Sequence, residues 1–133
     1  MNPHYPAVAQ RARRRCEYCR APESVFNFRF DIDHILPQAL DGDDALENLA
    51  LACRACNIFK GAFMQGTDPE TAQAVALFHP RRDRWEEHFH FSPETREILG
   101  HTATGRATVV RLDLNDDFQR EARTRWMEMG LFP

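Results

Sequence analysis

Four cysteines in two identical spacings are the residues of this chain best suited to bind a metal. They form the pairs Cys16/Cys19 and Cys53/Cys56. A CxxC pair directs two thiolates at one point, and two such pairs supply the four ligands of a tetrahedral zinc site. The 33 residues between the pairs exceed the roughly 15 to 20 of a plain zinc ribbon, so we expect a folded unit inside this loop. The alternative is four unrelated buried cysteines.

Between the two cysteine pairs, the neighbouring residues Asp33 and His34 could carry acid–base chemistry. A neutral imidazole can take a proton from water near neutral pH, which makes His34 a candidate general base. Asn57 follows the last cysteine, and its side-chain oxygen together with that of Asp33 would suit a divalent cation such as Mg²⁺. The alternatives are a hydrogen-bonded surface pair for Asp33 and His34, and a helix N-cap for Asn57.

The order of these residues resembles that of the HNH endonucleases, a family of the ββα-metal (His-Me finger) nucleases. The matching pattern covers residues 16–61 and reads CxxC, then DHI-x-P, then an asparagine before leucine, then CxxCN-x-x-K. Residues 78–89 and 104–108 resemble an extension found in many stand-alone bacterial members. The resemblance implies an endonuclease that hydrolyses phosphodiester bonds.

The resemblance also implies a role for each motif residue. His34 would activate water, while Asp33 and Asn57 would bind the catalytic Mg²⁺ or a similar divalent metal. The four cysteines would bind a structural Zn²⁺. Asn48 would brace a loop and help to orient the histidine, although it could equally be an ordinary turn residue. The family often has histidine where this chain has Asn57, so water and phosphate would complete the metal shell.

The implied partner is nucleic acid, with DNA as the expected substrate. Double-stranded DNA is favoured because a hairpin followed by a helix suits entry into a groove. Lys60, Arg54 and Arg15 are the candidate phosphate contacts. Lys60 could instead be a solvated helix residue, and the basic cluster 11–15 could be a solvated face. The net charge of −3 does not itself indicate a nucleic-acid-binding protein.

Hydrophobic alternation and turn residues predict the elements that position these groups. Residues 25–32 alternate phenylalanine and isoleucine with polar residues, which predicts a strand. A polar turn at 41–44 leads to a turn or strand over 45–52, and a helix is expected from Cys53 onward. These elements would form the two strands and the helix of the motif.

The remaining residues predict a second set of helices and strands. Asp68 followed by proline is a good helix start, which predicts a helix to about residue 77. Further expected elements are a strand at 84–91, a second strand at 96–101, a helix from 116 to 129 ended by Gly130, and an ambiguous segment at 102–115 that we interpret as helix.

We therefore expect an α+β fold made of a ββα-metal nuclease core, about 12–66, stapled by a four-cysteine zinc site. A helix-and-hairpin extension, about 67–133, would pack on it to form one domain over 1–133. The chain has no apolar stretch of membrane-spanning or signal-peptide length, which favours a soluble cytoplasmic protein. The alternatives to a nuclease are a non-catalytic zinc-ribbon module that binds nucleic acid, or a component of a toxin or restriction system.

Overall fold

The strands of this protein form three separate two-stranded antiparallel sheets, which are interspersed with helices. The structure is a computed structural model that describes residues Met1–Pro133. The strands are β1 (Asp31–His34), β2 (Leu49–Ala52), β3 (Gln65–Thr67), β4 (Ala74–Ala76), β5 (Phe89–Ser92) and β6 (Glu97–Gly100). The helices are α1 (Tyr5–Arg11), α2 (Arg54–Lys60), α3 (Trp85–His88), α4 (Ala103–Arg111) and α5 (Asp117–Glu128). The α+β class expected from the sequence is confirmed.

The first hairpin and the helix after it form the ββα arrangement. β1 pairs with β2 in a register that sets His34 opposite Leu49 and Asp33 opposite Ala50. All four residues of β2 are buried, so this strand is the apolar centre of the region. α2 begins directly after β2, where the Cys53 thiol accepts the N–H of Cys56 as an N-cap. The predicted helix from Cys53 is confirmed.

The strand predicted for residues 25–32 is wrong over most of its length. A 3-10 turn covers Glu23–Val25, and regular pairing begins only at Asp31. The buried Glu23 carboxylate accepts the N–H of Phe30 at 2.7 Å, so a side chain replaces the partner strand there. Phe28 is 78% exposed, which shows that the alternating phenylalanines do not share one buried face.

The helix predicted from Asp68 to about residue 77 is also wrong, because β3 and β4 form a hairpin there. Asp68 does cap a turn, since its carboxylate accepts the N–H of Glu70 at 3.1 Å and the hydroxyl of Thr71 at 2.9 Å. Ala72 then adopts a left-handed φ of 61°, and the chain returns along β4. The capping signal was correct, but it belongs to a hairpin loop.

The last part of the chain agrees better with expectation. The predicted strand 84–91 is helical over α3 and becomes a strand only at Phe89, whereas β6, α4 and α5 confirm the predictions for their segments. Gly130 ends the final helix with a φ of 72°. None of the helices is both long enough and apolar enough to cross a lipid bilayer.

Side chains from the extension contact the region of the cysteines. The Trp85 indole N–H donates to the carbonyl of Tyr18 at 2.8 Å. Arg81 pairs with Glu17, and Arg20 pairs with Glu86 at 2.8 Å. The start of α3 and the loop before it are therefore held against the first cysteine pair by one hydrogen bond from an indole and by two ion pairs.

Candidate metal centre and catalytic site

The four cysteine thiols meet at one buried point. Their Sγ atoms all lie within 4.8 Å of one another, and none of the four residues is more than 3% exposed. The Sγ atoms of Cys19 and Cys53 are 3.7 Å apart, far beyond the roughly 2.05 Å of a disulfide. Zinc–sulfur bonds of about 2.3 Å in a tetrahedron place neighbouring sulfurs roughly 3.8 Å apart. The donor set and its spacing fit a zinc-type site.

The two cysteine pairs use the same local backbone device to orient their thiols. In each pair, the N–H of the second cysteine points at the Sγ of the first at 3.5 Å, from Cys19 to Cys16 and from Cys56 to Cys53. The first pair lies in a tight turn, and the second opens α2. Two loops that are distant in sequence therefore present equivalent pairs of thiols.

The four thiols of this cluster lie close enough to change one another's pKa values. Hydrogen bonds to Cys16 and Cys53, together with burial, raise the pKa of Cys19 and of Cys56 well above the ordinary range. Hydrogen bonds from the other thiols hold the pKa of Cys53 far below it. Burial also opposes the ionisation of Cys19, Cys53 and Cys56, so several thiolates at one point conflict without a cation. A divalent metal removes this conflict because it stabilises every thiolate that binds it.

The Asp33 carboxylate is buried and already has two protein partners. Its residue is 4% exposed, the Tyr18 hydroxyl donates to it at 2.6 Å, and Lys60 lies 3.2 Å from it. Burial raises the pKa of Asp33, while the nearby Lys60 charge and the Tyr18 and Lys60 hydrogen bonds oppose that rise. Asp33 therefore faces protein donors in this structure, and its role as a metal ligand stays a prediction.

His34 lies at the end of β1 and is partly accessible, with 17% of its side chain exposed. Its Nε2 atom lies 2.7 Å from a carboxylate oxygen of Asp44. An imidazole held in this way by a carboxylate has a fixed ring orientation, and its other nitrogen is free to accept a proton.

Asn48 braces the loop that carries Asp44. Its side-chain oxygen accepts the N–H of Leu36 at 2.8 Å, and its amide N–H groups donate to the carbonyls of Leu36 and Asp43. These bonds connect the chain just after His34 to the chain just before Asp44. The geometry suits the loop-bracing role expected from the resemblance, and any catalytic contribution of Asn48 stays a prediction.

Asn57 lies beside Asp31 rather than Asp33. Its amide N–H donates to the Asp31 carboxylate at 3.0 Å, and Arg54 approaches the same oxygen at 3.4 Å. The two residues predicted to share a divalent metal, Asp33 and Asn57, thus bond to different groups. Joint binding of a divalent metal by Asp33 and Asn57 stays a prediction.

The predicted nucleic-acid contacts differ in their accessibility. Arg54 leaves 78% of its side chain in solvent. Arg15 instead donates to the carbonyls of Arg20 and Leu131 at 3.0 and 2.7 Å, and Lys60 is buried. Arg54 is therefore the contact candidate whose position agrees best with a role at the surface.

Sequence reasoning missed Tyr18, Asp31 and Asp44 as neighbours of the candidate site. Tyr18 stands inside the first CxxC pair, and Asp31 is two residues before Asp33 in the same strand. Strand periodicity could have indicated Asp31, because residues two apart share a face of a strand. Asp44 gave no such signal, since it lies in a polar turn that only the folded loop brings to His34.

Comparison with protein-family models matches residues 16–63 to the HNH endonucleases. Neither the curated proteins nor the solved structures give a significant match. Members of the HNH family generally are nucleases that act on nucleic acid, although some are not catalytic. The matched segment contains both cysteine pairs, β1, β2 and α2. The family match, the ββα arrangement and the clustered thiols together show that residues 16–63 are similar to an HNH endonuclease domain of the zinc type.

Proposed function

We propose that this protein is an endonuclease that hydrolyses phosphodiester bonds of DNA with His34 as the general base. The observation that carries the proposal is the contact between His34 Nε2 and Asp44 at 2.7 Å. It occurs within the segment that matches the HNH family. A partly exposed imidazole held by a carboxylate is the arrangement that activates a nucleophile in many hydrolases.

The contact with Asp44 determines which nitrogen of His34 would do the chemistry. When Nε2 carries the proton and donates a hydrogen bond to the carboxylate, Nδ1 keeps its lone pair. A water molecule beside Nδ1 would then transfer a proton to it while its oxygen attacks the phosphorus. The bond from the phosphorus to the leaving oxygen would break, and that oxygen would take a proton from solvent. Asp44 would stabilise the imidazolium that forms, and Asn48 would hold the loop on which Asp44 lies.

A divalent metal such as Mg²⁺ would supply charge stabilisation for the phosphate and the leaving oxygen when bound. The family resemblance implies Asp33 and Asn57 as ligands, but the Asp33 carboxylate already accepts from Tyr18 and lies beside Lys60, so we assign no step to the metal. Double-stranded DNA is the proposed substrate, with exposed Arg54 as the first phosphate contact.

The direct test is plasmid cleavage in the presence of Mg²⁺ by protein whose zinc content has been measured. We expect His34→Ala to lower the rate at least 100-fold, which is about the lower end of the contribution of a general base. His101→Ala is the matched control, because it removes an exposed histidine of the extension and should leave cleavage unchanged. Cleavage that persists in zinc-loaded His34→Ala protein would rule out this mechanism.

The second candidate function is a zinc-stapled module that binds nucleic acid without cutting it. The observation in its favour is that both predicted Mg²⁺ ligands already bond to protein groups. If this second function is correct, wild-type protein should bind DNA in a binding assay and should not cleave it with Mg²⁺, Mn²⁺ or Zn²⁺. Metal-dependent cleavage abolished by His34→Ala would exclude it.

A further inference from the structure

Lys60 is a buried cation surrounded by oxygen atoms. Only 2% of the residue is exposed. Its Nζ atom lies 3.3 and 3.2 Å from the two carboxylate oxygens of Asp33. The carbonyl oxygens of His34 and Ile35 are 3.4 and 3.2 Å from the same nitrogen. An ammonium group has three N–H donors and no acceptor, so this environment satisfies it without solvent.

All of these oxygens come from three consecutive residues, and His34 is the middle one. Lys60 is the last residue of α2, so its ammonium group joins the end of that helix to the end of β1. The contact with the His34 carbonyl fixes the backbone from which the imidazole projects. A shift of this backbone would move the ring relative to a water molecule and a phosphate.

Tyr18 connects this ion pair to the cysteine cluster. It stands between Cys16 and Cys19, and its hydroxyl donates to the second oxygen of Asp33 at 2.6 Å. Asp33 thus accepts from the first cysteine loop on one side and from α2 on the other. The Asp33 carboxylate therefore links the end of β1 to the first cysteine loop and to α2, the two elements that carry the cysteine pairs.

We infer that Lys60 and Asp33 form a positioning pair for His34, and that Lys60 does not bind phosphate and Asp33 does not bind the catalytic metal. This inference rests on the proposed role of His34. It gives a reason for burying an ion pair, which is costly in itself unless further hydrogen bonds satisfy both groups. The two groups would act only through the geometry of His34.

The test compares Lys60→Met, Asp33→Asn and the double variant, each with its zinc content measured. Arg125→Met is the control, because it removes an exposed positive charge from α5. We would measure kcat and KM on plasmid DNA, the Mg²⁺ concentration for half-maximal rate, and the salt dependence of DNA binding without Mg²⁺. The ring signals of His34 and His101 in NMR spectra provide a readout that does not need activity.

We expect Lys60→Met to lower kcat about 100-fold, the order of loss for a misplaced catalytic group. KM and the salt dependence of binding should stay unchanged. The double variant should recover part of the lost kcat and return the His34 ring signals toward those of wild type, because it leaves no unpaired buried charge. Asp33→Asn should change the half-maximal Mg²⁺ concentration by less than about 2-fold, since an amide can still accept from Tyr18 and Lys60.

Two results would overturn the inference. The first is a Lys60→Met protein that keeps its kcat but loses about one unit of slope in the logarithmic salt dependence, which marks a lost phosphate contact. The second is an Asp33→Asn protein that needs tenfold more Mg²⁺. If Lys60→Met does not fold, the double variant and Asp33→Asn decide the matter through the same measurements.

Failure of the proposed function would be visible separately. Wild-type protein that never cleaves DNA contradicts the nuclease mechanism. The NMR signals of the His34 ring then test the positioning pair without any measurement of activity. Signals that move in Lys60→Met and return in the double variant support it, with His101 as the unmoved reference. His34 signals that do not move in either variant contradict it.

Discussion

Residues 16–63 and residues 64–133 both combine antiparallel hairpins with helices, but different groups hold the two regions together. In the first region, the centre consists of four thiols that could hold a metal ion, and the strands are only four residues long. In the second region, the buried Arg123 bonds to carbonyl oxygens and the half-buried Arg106 bonds to a carboxylate. The first region thus centres on a zinc-type cluster of thiols, whereas the second is linked by hydrogen bonds that its own side chains make.

Arg123 is the clearest example in the second region. It is fully buried, and its guanidinium donates to the carbonyls of Arg96 and Leu114 and to the Asn115 side chain. Burial lowers its pKa from the usual arginine value. Asn115 in turn bonds to both backbone groups of Ile98. One charged side chain therefore links α5 to β6 and to the turn after α4.

The largest expected effect comes from removing one thiol of the first region. Cys16→Ser or Cys53→Ser should abolish tight zinc binding and the cooperative fold of residues 16–63, because zinc binding supplies about 10 kcal/mol or more in small zinc domains. Elemental analysis and thermal unfolding followed by circular dichroism would measure the outcome. A serine variant that unfolds at the wild-type temperature without zinc would break the comparison.

A smaller loss is expected when the second region loses its central arginine. Arg123→Met removes the guanidinium donor from the carbonyls of Arg96 and Leu114 and from the Asn115 side-chain oxygen, which should lower the free energy of unfolding by about 3 kcal/mol. Zinc content should stay at one ion per chain, because the thiols are untouched. Denaturant unfolding and elemental analysis together would check this, and loss of zinc from Arg123→Met would show that the two regions are not held independently.

The pH dependence of the second region should be visible through Asp68. Its hydrogen bonds with Arg106 hold the pKa of this carboxyl far below the ordinary 3.8. A carboxyl group whose pKa is lowered in the folded state stabilises the fold fully at pH values above its ordinary pKa. This stabilisation is lost as the pH falls through the folded-state pKa. The melting temperature of Asp68→Asn should therefore lie below that of wild type near neutral pH, and the gap should narrow in strong acid. A gap that stays constant over this range would contradict the assignment.

The smallest expected effect is local strain at the end of α5. Gly130 has a left-handed φ of 72°, and a Cβ placed there would meet nothing within 4 Å. Gly130→Ala should therefore cost about 1 kcal/mol through backbone conformation alone. Denaturant unfolding would measure it, and Gly42→Ala offers a contrast. A Cβ at Gly42 would overlap the Leu36 carbonyl oxygen, in the loop of the candidate site, so its cost should be larger.

The metal centre and most helices could be predicted from the sequence because their signals are local. Paired CxxC spacing requires two thiols to point at one spot, and the helix that begins after Cys53 follows from that loop. The segment 102–115 resolved to a helix because Thr102 caps it by accepting the N–H of Gly105 at 3.0 Å. Short-range capping and ligand spacing therefore carried these predictions.

The wrong or missed predictions involve bonds to residues outside the segment from which each prediction was made. Glu23 diverts the backbone of Phe30 from strand pairing, and Arg106 holds the Asp68 loop in place from α4. The partners of Asp33 and Asn57 were missed for the same reason, since Lys60 and Asp31 reach them only after the hairpin and the helix have docked. Alternation and capping describe a segment by itself and contain no information about such partners.

The burial of Lys60 has a practical consequence, because it is the single lysine of the chain. Reagents that acylate amines should leave its side chain untouched in the folded protein and modify it once residues 16–63 open. Mass spectrometry after brief acylation would then report how often this region opens, and treatment with a zinc chelator should raise the labelling rate. Lys60 therefore serves as an internal chemical probe of local unfolding, and its ammonium group contacts the backbone of the candidate catalytic His34.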